Sequence, residues 1–428
     1  MTIPMIWGLF SLMIFNLVDT YFISKLGTVP LAAIGFTFPI VMVVGGVSMG
    51  LGVAASSLIS RAIGKGDHAE VQRLTVDSLL LAGCIVAVFA FIGLHTIRPL
   101  FTLLGAQEEV LSLISDYMRI WYFGTVFLVV PMIGNNAIRA TGDTLLPGLI
   151  MCVGALTNAV LDPLFIFGFK LIPAMGIKGA ALATVISRAI TLCAALSILY
   201  FNKHMIRWKV LQWKELLSSW GRILYIGLPA AGSFIIVPTS MGIITRFVAS
   251  FGHEAVAAFG VVIRIEGVVL AVLMALATVM GPFAGQNWGA RKVERVARAL
   301  KISFIFSLCW GVAAALLFIF KGKGIVSLFD VDPIVVRVAV MYLLIVPISY
   351  GMEGIIFILS STFNALGKPL YSSALIITRV CLLYVPLAYF GKKLFGLGGI
   401  FAAALIANVI VGGWAYLGAK KIYHLLDA

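Results

Sequence analysis

Residues 20–35 read TYFISKLGTVPLAAIG, and residues 245–260 read TRFVASFGHEAVAAFG. Thr20, Gly27, Ala32, Ala33 and Gly35 fall on Thr245, Gly252, Ala257, Ala258 and Gly260, a constant shift of about 225 residues. The same shift places Gly64 on Gly289, Val71 on Val296, Arg73 on Arg298, and Ala140-x-Gly142 on Ala365-x-Gly367. Further along it shortens, with Pro163 and Gly168 over Pro386 and Gly391, then Gly176 and Gly179 over Gly396 and Gly399, as differences in loop length produce. The second half of the chain is a copy of the first.

Each copy is strongly apolar. Of 428 residues, 61% are hydrophobic and only 11% charged, which excludes the soluble globular classes and points to an all-α polytopic membrane protein. A helix crosses a bilayer with roughly 20 apolar residues, so the length holds about a dozen crossings and no soluble catalytic domain. Hydropathy and Gly, Pro and charge punctuation set spans near 2–24, 30–59, 74–95, 111–134, 147–168 and 177–200, then 221–250, 255–285, 298–320, 335–360, 371–391 and 398–419. The expected architecture is a first six-helix lobe over 1–200, a cytoplasmic linker over 201–220 and a second six-helix lobe over 221–428. The linker FNKHMIRWKVLQWKELLSSW alternates Trp with Lys and Arg and reads as an interfacial amphipathic helix. An even number of spans per copy gives both lobes one orientation, with their two-fold axis along the membrane normal. Two matched lobes of this kind suit alternating access.

The net charge of +14 follows loop topology rather than a nucleic-acid partner. Loops after even-numbered spans hold most of the basic residues, among them Arg61, Arg73, Arg139, Lys203, Arg207, Arg291 and Arg298, so both termini are expected in the cytoplasm. Residues 1–22 lack the basic start and cleavage site of a signal peptide and read as the first span. Five cysteines sit in apolar runs without CxxC spacing and read as buried packing groups. The five histidines lie in or beside loops, which argues against haem or zinc chemistry, and no GxxxxGK[ST] stretch supports direct use of ATP.

The polar residues that break the repeat carry the functional signal. An ionisable side chain at a helix centre costs about 2.5–3.5 kcal/mol on insertion scales, so each needs a reason. Asp19 in the first span is matched by Ile244 in the second half, and Asp162 in the fifth by Val385. The shared fold therefore does not require either acid. Both lie roughly 8–10 Å below the outer membrane surface by helical rise. Asn158 and Asp162 share a helix face, and Asn16, Asp19 and Thr20 form a polar stripe. Pro163 has no N–H to return to the Ala159 carbonyl, which frees another oxygen beside Asp162. Oxygens without imidazole or thiolate suit a proton or a hard monovalent cation. The competing reading is a set of interhelical hydrogen bonds. Arg264, Glu266 and Glu353 form a second-lobe polar set that reads equally as an ion-pair lock or a substrate contact. Asp77 and Arg188 read as interfacial groups that snorkel. Pro4, on the helix of Asp19, is a candidate hinge.

These pieces resemble the multidrug and toxic compound extrusion (MATE) family of antiporters. The matching stretches are NLVDTYFISKLGTVPLAAIG, SRAIGKGD, NNAIRATGD, NAVLDPLFIFG and GAALATVISR in the first half, with IRIEG, GQNWGA and FNALG in the second. The aspartate pair in the first lobe is similar to the DinF-like prokaryotic branch. The resemblance implies the MATE fold, a location in the plasma (inner) membrane of a prokaryote, and export of small organic cations or amphipathic drugs driven by H⁺ or Na⁺. It implies no other cofactor, and a monomer is expected. By the same resemblance Asp19, Asn158, Asp162 and Thr184 match the cation and proton site, where Na⁺ binding is one reading. Pro4 matches a bending proline, while Asn135 and Asn136, with Asn16 nearby on the first span, fall near a drug cavity. Two other readings stand beside it. A lipid-linked saccharide flippase of related fold expects a strongly cationic cleft, yet Arg188, Arg264 and Arg379 are the few deep cations. An intramembrane aspartyl protease built on Asp19 and Asp162 expects a glycine-rich approach, where this chain has VLDP.

Overall fold

The computed structural model describes residues 2–170, 172–207, 212–329 and 332–426, without the side chains of Asn16 and residues 420–426. Helices dominate it; among the described residues the β structure is one isolated bridge between Phe169 and Ile172. The chain runs through α1 (Thr2–Ser24), α2 (Thr28–Lys65), α3 (His68–Leu103), α4 (Glu108–Ala140), α5 (Leu145–Ile166) and α6 (Ile177–Ser197), the last extended by a π-helical turn over Ile198–Asn202. It continues through α7 (Trp213–Ala249), α8 (His253–Gly289), α9 (Val293–Val326), α10 (Pro333–Ile345), α11 (Tyr350–Ala365), α12 (Pro369–Ile377) and α13 (Val385–Leu426). A 3₁₀ turn over Val346–Ser349 joins α10 to α11 into one crossing, and a π-helical turn over Thr378–Tyr384 joins α12 to α13.

Eleven stretches among the described residues are long and apolar enough to cross a bilayer. The last of them, Pro369–Ala419, is 51 residues long, which at 1.5 Å per residue is about two and a half times the hydrocarbon thickness. It breaks at Gly396, where φ is 62° and ψ −140°, values foreign to a helix. Its repeat mate Gly176 has φ 55° and caps α6. The two glycines make the same turn at the same place in each copy, so Gly396 separates an eleventh crossing from a twelfth. The twelve-crossing architecture expected from the repeat is what the chain adopts.

The helices outrun the hydropathy windows. The span expected over 30–59 is observed as Thr28–Lys65, because a helix continues past the apolar core into polar ends that hydropathy does not count. The ends are chemically completed. Asp67 accepts a hydrogen bond from the Glu70 amide at 2.8 Å and caps α3, while Lys65 closes α2 against its dipole.

The separate amphipathic helix expected over 201–220 is a correction. Residues 208–211 lie outside the described residues, and Trp213–Trp220 form the first turns of α7 itself. Leu216, Ser219, Ile223 and Ile226 are all buried at helical spacing, so one continuous stripe carries the helix through. Contacts divide the chain into two compact units, Met1–Ala231 and Gly232–Ala428, with the division inside α7. In the first unit α1 packs on α5, α5 on α6, and α2, α3 and α6 on α4. The opening of α7 is held to this unit by Arg222–Glu70 (2.9 Å), Arg73–Glu215 (3.2 Å) and a bond from Trp220 Nε1 to the Asp77 carbonyl (3.1 Å). In the second unit α11 packs on α8, α9 and α13.

Three smaller expectations also change. Asp77 is buried and hydrogen-bonded to Ser219, so it joins α3 to α7 rather than snorkelling. Cys84, Cys193 and Cys309 are exposed rather than buried, because an apolar thiol on a membrane helix suits an outward face as well as an inward one. His95 lies within α3, its ring Nδ1 2.8 Å from the Phe91 carbonyl.

Candidate functional site

Four helices of the first unit converge on one polar cluster. From α5, Asn158 and Asp162 are fully buried, each 0% exposed, and Asn158 Nδ2 donates to Asp162 Oδ1 at 3.1 Å. The i, i+4 spacing that aligned them in the sequence makes this bond. From α1 comes Asp19, whose charge acts on that of Asp162. The buried phenol of Tyr117, from α4, feels both acids. From α6, Arg188 acts electrostatically on Asp19, and its guanidinium carbon lies 4.7 Å from the centre of the Phe15 ring.

What three of the cluster's oxygens lack is a bound donor. Asp19 Oδ1, Asp162 Oδ2 and Asn158 Oδ1 are buried with no hydrogen-bond partner in the protein. A buried polar atom left in that state costs about 1–3 kcal/mol, more for a charged group. Three such acceptors within one cluster are not what a purely structural arrangement retains. Their chemistry asks for a proton or a small cation, because a carboxylate and an amide oxygen accept and do not donate. Thr184 lies half-buried on α6, one turn before Arg188 and on its face.

The α1–α5 seam beneath the cluster is tight. A side chain at Gly148 would place its Cβ 2.8 Å from the Pro4 carbonyl oxygen, and one at Gly8 would lie 3.2 Å from Gly148 Cα. Ser11 Oγ and Cys152 Sγ meet at 3.0 Å on the same seam. Pro4 stands in the first turn of α1, directly on this contact. The side chain of Asn16 lies outside the described residues. Asn135 and Asn136 follow on α4. Asn136 donates to the Met132 carbonyl at 2.8 Å, accepts from Arg139 at 2.5 Å and packs on Gly52. Asn135 Oδ1 is buried without a partner.

The second-lobe set is differently arranged. Tyr342 donates its hydroxyl to Glu266 Oε2. Arg379 pairs with Glu353 Oε1, and Asn408 Nδ2 donates to Glu353 Oε2 at 3.3 Å and to Ser349 Oγ at 3.0 Å. Arg379 also donates to Asn408 Oδ1 at 3.2 Å. Glu266 and Glu353 act on each other electrostatically, whereas Arg264 is exposed and outside the cluster. Arg379 sits in the π-helical turn Thr378–Tyr384, a local widening common at functional positions. Sequence reasoning read Arg188 as a snorkelling group, which its buried Nε and its place beside Asp19 correct, and it missed Tyr117 and Asn408. Arg188 carried a signal, as a cation within a span needs a countercharge; Tyr117 and Asn408 carried none.

The MatE family model matches residues 4–164 and 229–390, one segment in each copy of the repeat. The chain belongs to the MATE family. The FAD transporter of Shewanella oneidensis is 37% identical over 100% of this chain and 95% of its own length. The multidrug export protein MepA of Staphylococcus haemolyticus is 28% identical over 99% of this chain and 92% of its own. The solved structure of an aspartate-to-asparagine variant of the Vibrio cholerae MATE transporter VcmN superposes with a TM-score of 0.93 at 33% identity, covering 99% of this chain and 95% of that one. The bent form of VcmN gives 0.92 at 33% identity, covering 100% and 96%. This MATE protein is therefore a transporter of a prokaryotic cell membrane and not an enzyme, which sets the protease reading of Asp19 and Asp162 aside.

Proposed function

We propose that the protein exports drug-like compounds by alternating access, in exchange for H⁺ or Na⁺ taken up at Asp19, Asn158 and Asp162 with Thr184 at the edge of the site. The observation that carries this reading is the set of three buried oxygens without donors, on two acids that the repeat does not share. Facing outward, the two carboxylates take a cation, which relieves their mutual repulsion and lets α1 reshape on α5. Substrate then leaves. Facing inward, the cation departs and substrate binds, so the two ligands oppose each other's binding. Pro4, seated on Gly148, is the proposed hinge of α1. Asn16, Asn135 and Asn136 are proposed to border the substrate cavity. The protein is proposed to act as a monomer, with both termini on the cytoplasmic side.

The cargo has two readings. The MepA relatives, multidrug export proteins, favour drugs, which we propose to be small cationic or amphipathic compounds. The Shewanella relative, matched over the whole of this chain, favours FAD. Efflux of ethidium, a fluoroquinolone and FAD from proteoliposomes under separate Na⁺ and pH gradients tests both readings, with wild type, Asp19→Asn and Asp162→Asn compared. The expected result is efflux driven by one gradient and abolished by either substitution, and the compound that moves names the cargo. Gradient-driven efflux that survives both substitutions moves the coupling to Glu266 or Glu353. If no gradient moves any of the three, the flippase reading takes its place.

A further inference from the structure

The coupling cluster holds a cation of its own. Arg188 lies over Phe15, with its guanidinium carbon 4.7 Å from the ring centre, and Phe15 precedes Asp19 by one turn on the same face of α1. Its charge and that of Asp19 act on each other, and Asp19 in turn acts on Asp162. Arg188 Nε and Asp19 Oδ1 are both buried without hydrogen-bond partners. The guanidinium is thus held near the carboxylate by the aromatic ring and is not locked to it by a direct bond. Arginine stays charged at every physiological pH. Two carboxylates and one guanidinium leave a single net negative charge, facing Tyr117 of α4 and Asn158 of α5.

We infer that Arg188 sets the ion stoichiometry: as a tethered internal cation it neutralises one of the two carboxylates, so the site takes up one monovalent cation per turnover and not two. This rests on the cation-coupled reading above. Without the guanidinium, the same oxygens carry two uncompensated charges in a dry lobe, which draws in a second cation.

The test is the balance point of transport in proteoliposomes with the membrane potential clamped at zero. Ethidium distribution is read against a graded Na⁺ or pH gradient for wild type, Arg188→Gln and Arg188→Lys. The final ethidium ratio is expected to follow the first power of the ion ratio in wild type, the second power in Arg188→Gln, and the first power again in Arg188→Lys. A second-power wild type, or a first-power Arg188→Gln, overturns the inference. Where Gln at 188 fails to fold, Arg188→Met fills the same space against Phe15 and carries the same expectation. Where a variant folds but moves no ethidium, equilibrium uptake of the ion that drives wild type, read as bound radioactive Na⁺ or as protons taken up by the purified proteins, decides, with one more ion per chain than wild type expected and equal counts overturning it. A wild type in which no gradient moves ethidium, a fluoroquinolone or FAD defeats the coupling reading itself, a result distinct from an unchanged power law. Where another of the three moves, the power law is read on that compound.

Discussion

The two units bury polar clusters that differ in how their acids are partnered. In the first, three acceptors are left over, Asp19 Oδ1, Asp162 Oδ2 and Asn158 Oδ1, beside one unpaired donor, Arg188 Nε. In the second, each oxygen of Glu353 is engaged, by Arg379 and by Asn408, and Tyr342 donates to Glu266. What the second cluster leaves over are the Tyr350 hydroxyl and the Arg379 Nε–H. An acceptor-rich site is incomplete until a proton or cation arrives, whereas an acid already tied to arginine has its cation built in. The comparison teaches that burial of an acid does not mark coupling; the state of its second oxygen does.

Two substitutions of the same chemistry break the comparison most sharply. Asp162→Asn keeps the volume and removes the charge, and gradient-driven efflux is expected to fall to that of empty vesicles while the protein stays folded. Glu353→Gln is expected to leave the driving ion and its coupling unchanged. If Glu353→Gln uncouples transport as fully as Asp162→Asn does, the contrast between the lobes is wrong.

Stability is expected to reverse that ranking. Arg379→Met leaves Glu353 buried at 6% exposure without its countercharge, a loss of about 3–5 kcal/mol for a broken buried pair. The double variant Glu353→Gln with Arg379→Met is expected to recover most of it, since no lone charge remains. Thermal unfolding in detergent reads both, and a single variant as stable as wild type contradicts the internal pairing.

Tyr342→Phe removes one neutral donor and keeps the ring. The ring packs edge-on against Phe259 and Phe401, so shape is preserved and Glu266 Oε2 alone loses its partner. A loss of about 1–3 kcal/mol is expected, smaller than for Arg379→Met and with coupling unaffected. An uncoupled Tyr342→Phe would bring Glu266 into the ion path.

Much of this was legible before any coordinates. The repeat located the glycine turns at Gly27 and Gly252, which open α2 and α8 with φ of 112° and 109°. Such turns must recur wherever the fold recurs. The departures from the repeat located Asp19 and Asp162, because a costly acid absent from one copy is not owed to the fold. Partners were not legible. Arg188 and Asp19 lie on helices far apart in sequence, and the pairing exists only where α1 meets α6. Nor was the start of α7, since Trp, Lys and Leu at helical spacing look alike in an interfacial helix and in the polar end of a crossing. Hydropathy also cannot say which apolar face meets lipid, so the cysteines were misplaced.

The smallest expected effect sharpens the comparison within the first unit, where Asp143 is an acid satisfied by the opening of α5 and by Lys203 beyond α6. Lys203 Nζ reaches Asp143 Oδ2 at 2.7 Å, and the amides of Leu145 and Leu146 each donate to Oδ1 at 3.1 Å. Partial burial pushes its pKa up, but the Lys203 bond and charge and the two amides together pull it below the usual 3.8. A carboxyl whose native pKa is depressed contributes stability above its unfolded value, near pH 4, and loses it as pH falls through the native value. Asp143→Asn is therefore expected to be less stable than wild type at pH 7 by up to about 1 kcal/mol, with the gap closing as the pH drops below about 4. Thermal melts at the two pH values check it. A gap that stays constant with pH would assign the loss to the two backbone bonds and not to the charge. Asp162, which has one neutral donor where Asp143 has three partners, is the acid left to find its cation elsewhere.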